Sequence, residues 1–408
     1  MEKRVTAQYS SRRNLLTSSA LIGAGLVLSA CGVAKKDEEG KGADAAAGKQ
    51  RSQARIAVLP KDGATRASIN KDAKVTVREG TLTRVSMTGP KGTPVKGTMA
   101  ADRRSWRPDG RLERGTVYKI SATAKDSNGL ETRTTSSFTT VSEANSFIGT
   151  FTPDDGATVG VGMPVSINFD KAITDRKAVQ SRITVTSSTG QEVVGHWFGD
   201  RRLDFRPEKY WTAGSTVTLK LRLDGVEGSR GVFGIQDRTI TFKVGRSQVS
   251  TVDVATKSMT VTRDGNTIKT IPISAGSAKN PTYNGEMVIS EMFKETRMDG
   301  STVGFGGEYD IPDVPHAMRL STSGTFIHGN YWGADSIFGN SNTSHGCVGL
   351  NDVKGGNDPG QPGSWYYSNS MIGDLVIVKN SPDTTIKPDN GLNGWNMSWA
   401  EWKAGSAI

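Results

Sequence analysis

Trp106-Arg107-Pro108, followed seven residues after its proline by Gly115-Thr116-Val117-Tyr118, returns ninety-nine residues on as Phe205-Arg206-Pro207 and Gly214-Ser215-Thr216-Val217. An aromatic before Arg-Pro, a glycine turn signal and a β-branched run at one fixed offset mark two copies of one structural module. Around each copy the apolar residues alternate. Val75–Arg78, Val117–Ala122 and Phe138–Val141 read as strands in the first. Val165–Phe169, Ile183–Val185, Val217–Leu221 and Ile240–Val244 do so in the second. Side chains on a strand point to opposite faces with a period of two, so this pattern buries one face and wets the other. No long helical period interrupts it.

Composition agrees. Forty-eight glycines in 408 residues are close to 12%, against about 7% in ordinary chains, and no Gly-X-Y period is present. Many short strands joined by tight turns account for such usage. Only two cysteines, Cys31 and Cys347, occur, which rules out a disulfide-stapled scaffold. The fold class expected is mainly β. Two tandem immunoglobulin-like β-sandwiches occupy 55–146 and 147–248, and a further mostly β domain occupies 249–380. Neither sandwich has the cysteine pair of antibody domains, so the likeness is architectural.

Residues 1–31 read as an export signal. Ser11-Arg12-Arg13-Asn14-Leu15-Leu16 resembles a twin-arginine motif, and the weakly apolar run to Ala30 is too short and too rich in small residues for a stable membrane span. It ends in Leu28-Ser29-Ala30-Cys31-Gly32, a lipobox-like sequence in which Cys31 would take a lipid. Residues 32–54 hold almost no large apolar side chain and read as a flexible tether.

Charge is unevenly spread. Basic residues outnumber acidic ones 36 to 24 in 32–248, while acidic residues lead 16 to 11 in 249–408. The basic part suits an anionic neighbour such as lipid headgroups or phosphate-rich wall polymers, or serves solubility alone. No nucleic-acid-binding motif is present.

The chemistry lies in the last third. The segment 298–319 (MDGSTVGFGGEYDIPDVPHAMR) reads as a loop or lid. Gly324-Thr325-Phe326-Ile327-His328-Gly329 follows, and then Ser344-His345-Gly346-Cys347-Val348. Cys347 would be the one unmodified thiol of the mature chain. Two of the four histidines lie near it in sequence. A nucleophilic cysteine needs a base for its proton, and glycines beside it let backbone N–H groups converge on an oxyanion. A free cysteine is also commonly an inert core residue, and His328, His345 and Cys347 together contain zinc-ligand types. However, no CxxC or fourth ligand accompanies them, and neither metal nor cofactor is expected.

The stretch His328-Gly329 … Ser344-His345-Gly346-Cys347-Val348 resembles the catalytic domain of the YkuD-like L,D-transpeptidases, over roughly 249–380. The whole layout resembles the actinobacterial lipoprotein members. The resemblance implies acyl transfer on the tetrapeptide stems of peptidoglycan, with Cys347 as nucleophile and His328 as base. The Gly329 carbonyl would orient His328, and the backbone of His345, Gly346 and Cys347 would form an oxyanion hole. Met298, Tyr309, Ser323, Gly324, Trp332 and Ser344 fall where relatives line the donor-peptide pocket. Gly349 departs from the usual Asn or Arg two residues after the cysteine, and Asn351 stands two further on. Finally, 381–408 reads as a C-terminal extension. Its Trp395, Trp399 and Trp402, at i, i+4 and i+7, are expected on one short helix packed against the catalytic domain.

Overall fold

A computed structural model describes residues 51–408, apart from 71 and 72. The expected export signal, Cys31 with it, and nearly all of the expected tether lie outside the described residues.

The first module packs two four-stranded sheets. One runs Arg55–Leu59, Lys74–Arg78, Ser105–Pro108, Gly97–Met99, and the other runs Pro94–Val95, Thr81–Thr88, Val117–Lys125, Glu131–Thr139. Alternate residues, Val75 and Val77 from one sheet and Tyr118, Ile120 and Ala122 from the other, meet in a single core. The second module repeats the plan. Gly149–Thr152, Val165–Phe169, Arg202–Pro207 and Val193–Phe198 face Thr158–Val159, Asp237–Val244, Thr216–Arg222 and Ile183–Ser187. Trp106 and Phe205, the aromatics of the sequence repeat, are both buried core residues. The Trp106 ring lies so close to Gly97 that a Cβ there would sit 2.0 Å from it.

Two expected boundaries shift. Residues 51–54 are not free tether: the Gln53 N–H donates to Asp126 Oδ2 at 3.0 Å and Ala54 is buried in the first core. Ser146, assigned by sequence to the first module, belongs to the second. Ser146–Phe147 pairs in parallel with Val232–Gly234, and Phe147 enters the second core. The modules also interlock. Ile235 of the second packs into the first core, and Ser68 donates to Asp224 at 2.8 Å.

Residues 248–379 form a nine-stranded sheet in the order Gly285–Val288, Leu375–Lys379, Gln248–Asp253, Ser258–Arg263, Asn266–Ser274, Val348–Asn351, Phe326–Asn330, Asp310–Arg319, Glu291–Asp299. Two pairs are parallel: Gln248–Asp253 with Leu375–Lys379, and Phe326–Asn330 with Val348–Asn351. The segment read as one long loop is therefore only partly a loop. Residues 300–309 are, but Asp310–Arg319 is a strand despite Pro312 and Pro315. It pairs with Glu291–Asp299 along its length and with Phe326–Asn330 only at Met318 and Arg319. Prolines are tolerated where a strand edge lacks a partner.

The C-terminal extension also departs from expectation. Trp399 and Trp402 lie on a helix, Trp399–Ala404, but Trp395 lies on a separate turn, Gly394–Asn396. Trp399 and Trp402 gather on the second sandwich, while Trp395 sits where that sandwich meets the catalytic sheet, in one core with Val288 and Leu375. The Arg206 guanidinium stands 4.8, 5.4 and 4.4 Å from the Trp395, Trp399 and Trp402 rings. The Trp402 indole N–H donates to Val194 O at 2.9 Å, and that of Trp395 to Gly162 O at 2.7 Å. A desolvated cation over aromatic faces is a favourable anchor, and Arg206, in the repeat, supplies it. Arg246 to Asp374 at 2.9 Å and a core shared with Val288 and Leu375 join the second sandwich to the catalytic sheet.

Candidate functional site

His328 sits in the middle of Phe326–Asn330, a strand buried at every position. It lies beside Gly349 in the parallel ladder. Its neighbour Ile327 faces the core, so by alternation His328 and Asn330 face the other side. The His328 Nδ1–H donates to Gly329 O at 2.9 Å. That bond leaves Nε2 as the unprotonated nitrogen. The Trp332 ring stacks on the imidazole at 5.5 Å and 16°. Burial holds the imidazole below its ordinary pKa.

Cys347 ends a tight turn just before Val348–Asn351. The Ser344 hydroxyl donates to Cys347 O at 2.6 Å and accepts the Gly346 N–H at 3.2 Å. Gly346 has φ +110, which a side chain would resist. Ser344 is further held between Ala275 and Ser277 by backbone bonds of 3.1 and 2.8 Å. The Cys347 thiol donates weakly to Gly324 O at 3.6 Å, and burial pushes its pKa up to about 11.

His345 points elsewhere. Its Nε2 meets Glu308 Oε2 at 3.0 Å, and its ring lies 5.4 Å from Phe305 and 5.0 Å from Tyr309. All three partners come from the 300–309 lid, so His345 ties the lid to the cysteine turn. The His345 bond, then Lys279, holds the Glu308 carboxyl below its usual range. Burial pushes Tyr309 up to about 12. The lid also needs Gly324, with φ +97, because a Cβ there would lie 2.5 Å from Val303 Cγ1.

Met298, Tyr309, His328, Trp332, Ser344, His345 and Cys347 thus border one cleft of about 300 Å³. Gly324 and Ser323 border a second hollow of about 270 Å³ that shares His345. Three sequence expectations change in detail. Ser344 spends its hydroxyl inside the turn rather than presenting it to a ligand. The Gly346 N–H is taken by Ser344, whereas those of His345 and Cys347 have no acceptor among the described residues. The Ser323 hydroxyl accepts from Asn390 at 2.8 Å. Among the described residues no group of three or more His, Cys, Asp or Glu could hold a metal ion.

Residues 247–378 match the family model described as the L,D-transpeptidase catalytic domain, and 64–227 match a bacterial Ig domain. L,D-transpeptidase 2 of Mycobacterium tuberculosis is 33% identical over 351 residues, 85% of this chain and 83% of that one.

The chain belongs to the L,D-transpeptidase family.

L,D-transpeptidase 5 of Mycobacterium tuberculosis is 30% identical over 87% of this chain and 77% of its own. The solved structure of LdtMt1 in complex with imipenem is 25% identical and covers 56% of this chain and 97% of that one at a TM-score of 0.48. This L,D-transpeptidase lines its cleft with residues that sequence reasoning missed: Ile311, Asn330 and Thr343. Asn330 was findable, being two residues past His328 on the same strand face. It also bears on Gly349, since a Cβ there would lie 3.4 Å from Asn330 Nδ2. The neighbouring strand thus brings the Asn330 amide beside Gly349. Asn351, the alternative, is instead bonded to Asp335 at 3.2 Å.

Proposed function

We propose that this L,D-transpeptidase forms 3→3 cross-links between peptidoglycan stems through a thioester on Cys347. The observation that carries the reading is one 300 Å³ cleft bordered by both Cys347 and His328, with His328 oriented through Nδ1. Cys347 attacks the carbonyl of the third stem residue, a diamino acid. The C–S bond forms as the thiol proton passes to His328 Nε2, and the N–H groups of His345 and Cys347 receive the oxyanion. His328 returns the proton to the leaving amine, and the amide to the terminal D-alanine breaks. The side-chain amine of a second stem then attacks the thioester. The new amide forms, the C–S bond breaks, and the amine proton returns to sulfur through His328. Met298, Tyr309 and Trp332 hold the donor stem, while the turn bonds of Ser344 keep the cysteine in place. Water in place of the amine gives an L,D-carboxypeptidase. Incubating the protein with a disaccharide-tetrapeptide decides between the two outcomes by mass. A dimer lacking one D-alanine is expected, and a tripeptide monomer alone would overturn cross-linking in favour of hydrolysis.

The lipobox-like Leu28–Cys31 supports attachment to the outer face of a membrane by a lipid on Cys31. The basic excess of 32–248 supports an anionic surface of lipid or wall polymer beside it. No helix among the described residues is long and apolar enough to cross a membrane. Cys31→Ala is therefore expected to move the protein from the membrane fraction to the medium. Retention of that variant at high salt would refute the anchor.

A further inference from the structure

A second ionisable pair lies buried in the catalytic sheet, outside the steps above. His316 and Asp352 have side chains only 5% and 0% exposed, and His316 Nδ1 meets Asp352 Oδ2 at 2.7 Å. The other carboxylate oxygen accepts the Val353 N–H at 2.8 Å, and the imidazole packs on Tyr367 at 5.0 Å. Burying such a pair is costly unless its geometry is well held.

The chain is shaped around it. A Cβ at Gly329 would lie 2.4 Å from Asp352 Oδ2, and one at Gly363 would lie 2.3 Å from the same atom. A Cβ at Gly356 would lie 2.6 Å from His316 Cε1. His316 itself has φ +51 within the strand Asp310–Arg319, a left-handed conformation unusual outside glycine. Strain of that kind persists only where the surroundings over-determine it, and it gathers at functional sites. Gly329 is the link to chemistry. Its carbonyl accepts the His328 Nδ1–H, and by alternation the space where its side chain would be lies on the sheet face opposite the imidazole. That space is filled by the Asp352 carboxylate.

We propose that the Asp352–His316 pair is a positioning unit for His328. By packing against the Gly329 α-carbon it fixes the plane of that peptide, and hence the tautomer and aim of the imidazole. Gly329 is glycine because the carboxylate leaves no room for anything larger. This inference rests on His328 being the base.

A double-mutant cycle on acylation of Cys347 by a carbapenem tests it, with the acylation rate and the reversible affinity measured separately. Asp352→Ala is expected to slow acylation by about 10- to 100-fold, the usual penalty for a small misplacement of a catalytic group, with affinity little changed. Asp352→Asn, which keeps the volume under Gly329, is expected to recover most of the rate. In a His328→Ala background, Asp352→Ala is expected to cost nothing further, because the group it positions is gone. An equal loss in both backgrounds would overturn the proposal and leave the pair a structural element. Should Asp352→Ala not fold, His316→Asn serves, since asparagine tolerates left-handed φ and the change releases the carboxylate from its partner. The same loss with native His328, and none without it, is expected. A His328→Ala single variant that acylates normally would instead sink the base assignment, a result distinguishable from additivity.

Discussion

Cys347→Ala is expected to abolish D-alanine release and to leave no covalent carbapenem adduct by intact-protein mass spectrometry. The thiol is the one cysteine among the described residues, and it borders the cleft together with His328. Loss should be complete within detection rather than partial, since an acyl-enzyme needs an atom to carry the acyl group. Stability should move little, by about 1 kcal/mol or less. Cys347 is only half-buried, and the turn is held by Ser344 and the backbone bonds to Ala275 and Ser277 rather than by sulfur. Appreciable turnover by the alanine variant would remove the thioester from the mechanism.

His328→Ala is expected to lower carbapenem acylation by about 10²–10⁴-fold at neutral pH, the usual cost of losing a general base. The pH dependence follows from two opposed shifts. Burial raises the Cys347 thiol to about 11 and lowers His328 from the ordinary imidazole value. A base with a lowered pKa stays neutral, and so stays competent, further into acid. The acid limb of the native profile should therefore fall below the ordinary imidazole range. Without His328 the thiol must ionise unaided, so the rate should climb about tenfold per pH unit toward about 11. His345→Ala should behave differently. Its ring serves the Glu308 contact and the aromatic packing of the lid, and no rise in pH restores those. If alkali rescues His345→Ala and not His328→Ala, the two roles are exchanged.

Much of this was legible because it depends on neighbours in sequence. The Trp106 and Phe205 repeat lies in strands and in the core, because alternation alone decides which residues turn inward. The Ser344–Cys347 turn could be read from glycine spacing, since Gly346 needs positive φ wherever the turn sits. The Gly329 carbonyl, adjacent to His328 in the chain, could reach Nδ1 under any fold that keeps the strand. The strand Asp310–Arg319 was illegible because its two prolines signal a break unless one knows that most of one strand edge is unpaired. The tryptophans of the extension were misplaced for a similar reason. Their partner Arg206 is about 190 residues away in the chain, and an amphipathic spacing tells that a face is covered but not by what.

The sequence by itself determined the strand-rich architecture, the presence of a thiol with two nearby histidines, and the family. Each of these follows from local spacing and residue type. Only the tertiary structure decided that both histidines border the cysteine's cleft, His328 stacked on Trp332 and His345 bonded to Glu308 of the lid. It alone decided that burial raises the Cys347 thiol, and that an Asp–His pair far apart in sequence fills the space behind Gly329. These depend on desolvation and on close contact between separate strands. Both are properties of the space around a group, and the order of residues along the chain does not contain them until the chain has folded.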